Sequence, residues 1–161
     1  MGGTLELLKS AQKMKAFRLS IPKVKDCSKP VAFIIDDERA WRNILSRWLK
    51  EQGFEVQVAD TLQSAQKLLG EPQEKPQLVS LDISLDPLDS SNVDGLSLID
   101  KVHELGGDIK VIVVTGYKDH ATLYQKDVDL IIEKVKDGQA LTKKIFFIQL
   151  EQLKLTSRVD K

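Results

Sequence analysis

The sequence predicts an α/β fold, a doubly wound parallel sheet of five strands with helices on both faces. Two observations carry that expectation. Short apolar runs rich in β-branched residues alternate with amphipathic stretches, giving the order β-α five times over. Several of these runs, such as VAFII at 31–35 and KVIVVT at 110–115, are apolar almost throughout, as expected of strands covered on both faces. A parallel sheet needs a crossover after each strand, and right-handed crossovers leave few topologies.

Taken in order, residues 4–19 (TLELLKSAQKMKAFRL) have the spacing of a basic amphipathic helix, with Thr4 as N-cap and Leu7, Leu8, Ala11 and Met14 on one face. Pro22 and Pro30 bracket a polar linker that contains Cys27. The first strand is 31–35. The helix after it places Ala40, Trp41, Ile44, Leu45, Trp48 and Leu49 on one face and stops at Gly53. FEVQV at 54–58 alternates like a strand, and Thr61 opens a second helix that ends at Gly70 and Pro72. QLVSLD at 77–82 is the third strand. A loop of Asp, Pro, Ser and Asn leads to Asp94-Gly95 and the helix LSLIDKVHEL. KVIVVT is the fourth strand, a short polar helix covers roughly 119–126, and DLIIE at 129–133 is the fifth strand. A last helix is expected from about Asp137 to about Leu155. The organisation is therefore a basic extension and linker at 1–30, a domain at 31–155 and a tail at 156–161.

Charge and composition exclude several functions. The chain balances 24 Lys+Arg against 24 Asp+Glu. Residues 1–30 nevertheless hold seven basic and two acidic side chains, so a +5 arm joins a −5 body. An acidic body argues against direct nucleic-acid binding. No apolar run is long enough for a membrane span, and no secretory signal is visible, so a cytoplasmic location is expected. One cysteine excludes an internal disulfide and a cysteine-based zinc site.

The strand ends carry the chemistry. Strand one ends in Asp36-Asp37 with Glu38 next, strand three in Asp82, strand four in Thr115-Gly116, and strand five in Glu133-Lys134. A parallel sheet gathers all four groups at its carboxyl edge, where ligands of open α/β sheets bind. Crowded carboxylates there repel one another unless a cation is bound, and Mg²⁺ suits a site with few carboxylates and several waters. Lys134 and Thr115 add an ammonium and a hydroxyl for anionic oxygens, a combination suited to phosphoryl transfer onto a carboxylate.

On these residues, 31 to about 155 resemble the response-regulator receiver domain of two-component signalling. The resemblance is carried by the ordered set IIDDE, the LD of strand three, VDGL, VVTGY and IIEK. It implies a CheY-like, flavodoxin-like fold with strand order 2-1-3-4-5. It implies that Asp82 is the phosphoacceptor, and that Asp36 and Asp37 bind Mg²⁺, with Asp37 favoured as the direct ligand. The backbone carbonyl of Ser84 would join Asp82 in the metal shell. Thr115 resembles the switch hydroxyl and Lys134 the lysine that pairs with phosphoryl oxygen. Gly116 resembles an access position, and Tyr117 with Ser84 would tune the phosphoryl lifetime. The implied partners are a sensor histidine kinase or phosphotransfer protein, a downstream protein, and a second copy through the face of helix four, strand five and helix five. Phe146, Phe147, Leu150 and Leu153 are the interface candidates there. The chain length leaves no room for an attached output domain, so a stand-alone module is expected.

The sequence departs from the family in four places. Val135 stands where Pro usually follows the lysine; a cis bond to Val135 would cost about 3 kcal/mol, so a trans bond or an altered loop is expected. Ile131 replaces the usual aromatic switch. The loop after Asp82 is longer and adds Asp86 and Asp89, and the segment from Thr115 to Lys134 is short, so helix four should be reduced. Plainer roles stand beside these: Asp36-Asp37 as a helix cap, Thr115 and Lys134 as ordinary strand-end groups, Asp86 and Asp89 as solvated charges, and Ser90 and Ser91 as turn residues. Trp41 and Trp48 are expected in the core, with Trp41 at the rim of the site. His103, His120 and Cys27 are expected to be inert. Two other functions remain: a phosphorylation-independent adaptor, and a Mg²⁺-dependent phosphatase with an aspartate nucleophile, which Ser84 disfavours because an Asp-x-Asp pair is absent. The expected function is a signalling module rather than an enzyme, limited to self-phosphorylation and autodephosphorylation.

Overall fold

Each strand of the main sheet returns through a helix, so all five run parallel. The structure is a computed structural model that describes residues 28–86, 88 and 93–153. The strands are β1 (Val31–Ile35), β2 (Glu55–Ala59), β3 (Leu78–Leu81), β4 (Lys110–Thr115) and β5 (Leu130–Glu133), in the order β2-β1-β3-β4-β5. The helices are α1 (Arg39–Glu51), α2 (Leu62–Gly70), α3 (Ser97–Glu104), α4 (Lys118–Thr122) and α5 (Lys143–Glu151). A 3-10 turn, Asp94–Leu96, precedes α3. The register aligns Ile35 with both Ala59 and Leu81, and Thr115 with Glu133, so the residues after these strands share one edge.

The period-two geometry of β1 divides the core. Val31, Phe33 and Ile35 join Leu69, Leu98 and Val102 beneath α2 and α3. Ala32 and Ile34 join Leu45, Leu49, Phe146 and Leu150 beneath α1 and α5. Local chemistry sets the helix ends. Thr61 and Ser64 form a reciprocal capping box at the start of α2, and Gly53 adopts φ +87° just past α1.

The expected fold class and strand order are those observed, and three local expectations need correction. The last helix begins at Lys143, capped by Thr142, and not at about Asp137. Asp137 and Gly138 have φ of 50° and 76° and turn a small antiparallel hairpin of β6 (Val135–Lys136) and β7 (Gln139–Ala140). Asp-Gly is a strong signal for such a hairpin, because both central residues of the turn need positive φ. Ala40, assigned to the inward face of α1, is exposed.

The third correction concerns the interface candidates. Phe146 and Leu150 lie in the core at 0% and 1% exposure, and Phe147 and Leu153 are partly buried against them. Ile145 and Ile148 are the exposed apolar residues of α5, at 45% and 51%. The sequence of α5 is apolar nearly all round, so hydrophobicity could not choose its phase; the start at Thr142 and the contact of Phe146 with Trp48 (ring centroids 5.4 Å) do. Helix α4 is reduced, as expected, to five residues. Residues 1–27 of the basic arm, with the helix expected at 4–19 and Cys27, lie outside the described residues, as do Asp89, Ser90, Ser91 and the tail from 154. Among the described residues no helix is long and apolar enough to cross a membrane.

The two faces of α5 should respond differently to truncation. Phe146→Ala is expected to lower the urea-unfolding free energy by about 3–5 kcal/mol, and Ile148→Ala to change it by no more than about 0.5 kcal/mol. Equal losses at both positions would contradict this phase of α5.

Candidate functional site

Backbone hydrogen bonds at the sheet edge fix the polar residues that follow each strand. Asp36 N–H donates to Ala59 O (3.1 Å), Asp82 N–H to Ile35 O (2.8 Å), and Lys134 N–H to Thr115 O (2.8 Å). The ladder is thus continued one residue beyond the strands, so each side chain leaves from a rigid base. The result is a cluster centred on Lys134, whose Nζ lies 2.6 Å from Asp82 Oδ2, 2.8 Å from Asp36 Oδ2 and 2.9 Å from Glu38 Oε1. Asp36, Asp82 and Lys134 are buried, Asp37 is half-buried and Glu38 is exposed. Lys134 Nζ also stands 5.7 Å from the Trp41 ring centroid, which places Trp41 at the rim of the site.

The electrostatics follow from burial. Loss of water raises the Asp36 carboxyl to about 7; Lys134 opposes that rise and Asp82 adds to it. Asp37 is raised first by burial and then by Asp82. Burial alone would lower Lys134, but the carboxylates of Asp82 and Asp36 overcome it and hold the ammonium above its ordinary value. One ammonium therefore serves four acids. Carboxylate oxygens of Asp36, Asp37, Glu38 and Asp82 all lie within 4.8 Å of one another. Asp36 Oδ2 is buried and meets Lys134 as an ion pair without a hydrogen bond, so it keeps acceptor capacity for a cation. An oxygen-only set with surplus negative charge and a partly open side fits a hard divalent ion.

The surrounding residues shape the pocket. Thr115 is fully buried and its Oγ1 accepts the Tyr117 N–H (3.1 Å), so the strand-end bond expected of an ordinary threonine is present in this state. A Cβ at Gly116 would meet nothing within 4 Å, so packing does not demand glycine there and the space stays open. Tyr117 is exposed and stacks on His120. Ser84 N–H donates to Asp82 Oδ1 at 3.4 Å, keeping the Ser84 backbone beside the acid. Asp36 Oδ1 accepts the Glu38 N–H (2.9 Å) in the turn before α1, whose N-cap is Glu38 without a side-chain cap bond, so the capping role considered for Asp36-Asp37 is not the one found. Asp86 accepts the Leu88 N–H (2.9 Å) within its own loop.

One residue of the site, Arg42, escaped the sequence reading, and Gly95 was named there only as part of VDGL. Arg42 Nη1 donates to both Asp36 O and Asp37 O at 2.7 Å and clamps the acidic turn from α1. A cation in the first turn of a helix opposes the macrodipole, and that misfit is the signal that could have found it. Gly95 donates its N–H to Ile83 O (3.0 Å), and a Cβ there would overlap the Asp82 carbonyl oxygen and crowd Ile83. The glycine before α3 therefore lets the backbone turn close against the segment that carries Asp82.

Known proteins resemble this chain in sequence and fold. A family model described as "Response regulator receiver domain" matches residues 32–146. An NtrX-like response regulator of Rickettsia conorii is 35% identical over 85 residues, 52% of this chain and 17% of that protein. RegA of Rhodobacter capsulatus, a photosynthetic apparatus regulatory protein, is 24% identical over 89 residues, 55% of this chain and 45% of its own length. The chain thus spans less than half the length of these relatives. Among solved structures, a response regulator of Burkholderia pseudomallei with a phosphorylated aspartic acid, calcium ion and citrate superposes with TM-score 0.56 at 30% identity, covering 78% of this chain and 75% of that one. TrrA of Thermotoga maritima in complex with Mg²⁺-BeF shares the fold, with TM-score 0.59 and 23% identity over 79% of this chain and 98% of that one.

The raised Asp36 carboxyl has a measurable consequence in metal-free protein. Between about pH 4 and 7 the folded chain keeps a proton on Asp36 that the unfolded chain has lost, so stability falls as pH rises through that window. Thermal melts of wild type and Asp36→Asn, compared across that range in chelator, should show a downward contribution in wild type that the variant lacks. Parallel curves would count against the buried, partly protonated carboxyl.

Proposed function

The chain belongs to the response regulator receiver domain family, and from that premise we propose that it accepts a phosphoryl group on Asp82 and signals through protein contacts. The single observation that carries the proposal is the placement of Asp82 Oδ2 2.6 Å from Lys134 Nζ in a buried pocket beside Asp36 and Asp37. Receiver domains are signalling modules, and the donor in this reading is a phosphohistidine on a sensor kinase or phosphotransfer protein. An Asp82 carboxylate oxygen attacks phosphorus, the new O–P bond is an acyl phosphate, and the P–N bond electrons return to the imidazole. Lys134 then pairs with a phosphoryl oxygen in place of the free carboxylate.

Mg²⁺, when held by Asp36, Asp37, Asp82 and the Ser84 carbonyl, supplies the positive charge that lets an anionic donor approach this acidic pocket. The protein does the rest. Arg42 and the sheet-edge hydrogen bonds hold the acids in place, and Gly116 leaves the approach open. In this reading Thr115 gives up its bond to Tyr117 N–H and turns its hydroxyl toward the added phosphoryl group. About two added negative charges at this edge bias the neighbouring packing of α4, β5 and α5. Ile131 is an aliphatic, half-buried member of the core, so coupling to Thr115 runs through packing and not through an aromatic rotamer. The readout surface in this reading includes Ile145 and Ile148, with a downstream protein or a second copy as partner.

Acetyl phosphate with Mg²⁺ tests the reading directly. Intact-mass measurement is expected to show one added phosphoryl group in wild type and none in Asp82→Asn, and beryllofluoride is expected to change Trp41 emission. No added mass at saturating donor would sink the phosphoacceptor reading and favour a phosphorylation-independent adaptor.

A further inference from the structure

The hairpin after Lys134 buries nothing. Val135, Lys136, Asp137, Gly138, Gln139 and Ala140 are all exposed. An isolated two-stranded ribbon is marginal in water, so its presence at this point calls for a role other than core formation. Its hydrogen bonding supplies one. The hairpin pairs Val135 with Ala140 and Lys136 with Gln139, and its next rung is Leu141 N–H donating to Lys134 O at 2.7 Å. Lys134 is thereby tied on one side to Thr115 through its N–H and on the other to Leu141 through its carbonyl. Leu141 is itself seated in the core just before the Thr142 cap of α5.

We infer that the Asp137-Gly138 hairpin positions Lys134, making both turn residues positioning residues for phosphoryl transfer at Asp82. The inference rests on the phosphoacceptor reading above. Val135 stands where the family usually has a proline, so the segment lacks that local restraint, and the hairpin provides another. Closing the turn sets the Lys134 carbonyl against Leu141, which orients the Lys134 backbone and aims its ammonium at Asp82. The turn also links Lys134 to α5, so a change in the lysine's position has a short covalent path to that helix.

Gly138 offers a clean test. A Cβ there meets nothing within 4 Å, so substitution acts only through its φ of 76°. Proline, fixed near φ −65°, cannot adopt that conformation, while asparagine tolerates it. In the full chain, Gly138→Pro is expected to speed amide exchange at Leu141 and to slow phosphorylation by acetyl phosphate about tenfold, as small misplacements of a catalytic group do. Gly138→Asn should behave like wild type throughout. Gly138→Val strains the same φ and gives the same readout if the proline variant does not fold. Wild-type phosphorylation in a variant whose Leu141 amide exchanges freely would overturn the inference. Failure of the wild type itself to gain a phosphoryl group overturns the functional reading instead. Lys134 is then followed by its contact with Trp41, and emission unchanged by Gly138→Pro would overturn the positioning role as well.

Discussion

One buried ammonium holds this molecule's sheet edge together. Lys134 sits among Asp36, Glu38 and Asp82 at 2.6–2.9 Å, with two of the three acids almost fully removed from water. Two buried carboxylates at such range could not both ionise without it, because desolvation and mutual repulsion act in the same direction. Asp36 shows how incomplete the compensation is: even with Lys134 adjacent, burial leaves its carboxyl raised to about 7. The cluster retains excess negative charge, and an added cation would relieve it. Retaining an edge that favours an added cation costs some stability in its absence, as is common at sites built to bind.

The fold makes that crowding unavoidable. Parallel strands in register deliver their next residues to one edge, and hydrogen bonds from Asp36, Asp82 and Lys134 extend the sheet by one more rung. Neither Asp36 nor Asp82 can retreat from the other without breaking that rung. Arg42 grips the carbonyls of the acidic turn from α1, and Gly95 brings the start of α3 against the backbone of Asp82 and Ile83. Backbone geometry thus holds the charged groups from below while Lys134 offsets their repulsion, and the two together let the acids stay close.

The side formed by α4, β5 and α5 departs further from the expected family pattern than the acidic pocket does. Helix α4 has a single turn and a half, Ile131 replaces an aromatic residue, and a hairpin follows the lysine. These differences all lie along the path from Thr115 and Lys134 to α5. A phosphoryl group at Asp82 would act on that path through Thr115, which now bonds to Tyr117 N–H, and through Lys134, whose carbonyl meets Leu141 N–H. The small exposed apolar face of Ile145 and Ile148 stands at the far end.

The sequence alone determined the fold class, the strand limits to within a residue or so, and the identity of the acids and the lysine. It could do so because strand periodicity and strand-end position are local properties, and KVIVVT and IIDDE declare both. The phase of α5 was a different matter: with Ile145, Phe146, Phe147, Ile148 and Leu150 in nearly continuous run, only packing on Trp48 decided that Phe146 and Leu150 go inward. Arg42 likewise gained its place from carbonyls that only the folded turn presents. The hairpin was legible in principle from Asp137-Gly138, but its consequence, the bond from Leu141 N–H to Lys134 O, exists only once the sheet has fixed where Lys134 stands. Local chemistry names the elements and the charges; long-range contacts choose which face is buried and which backbone groups meet.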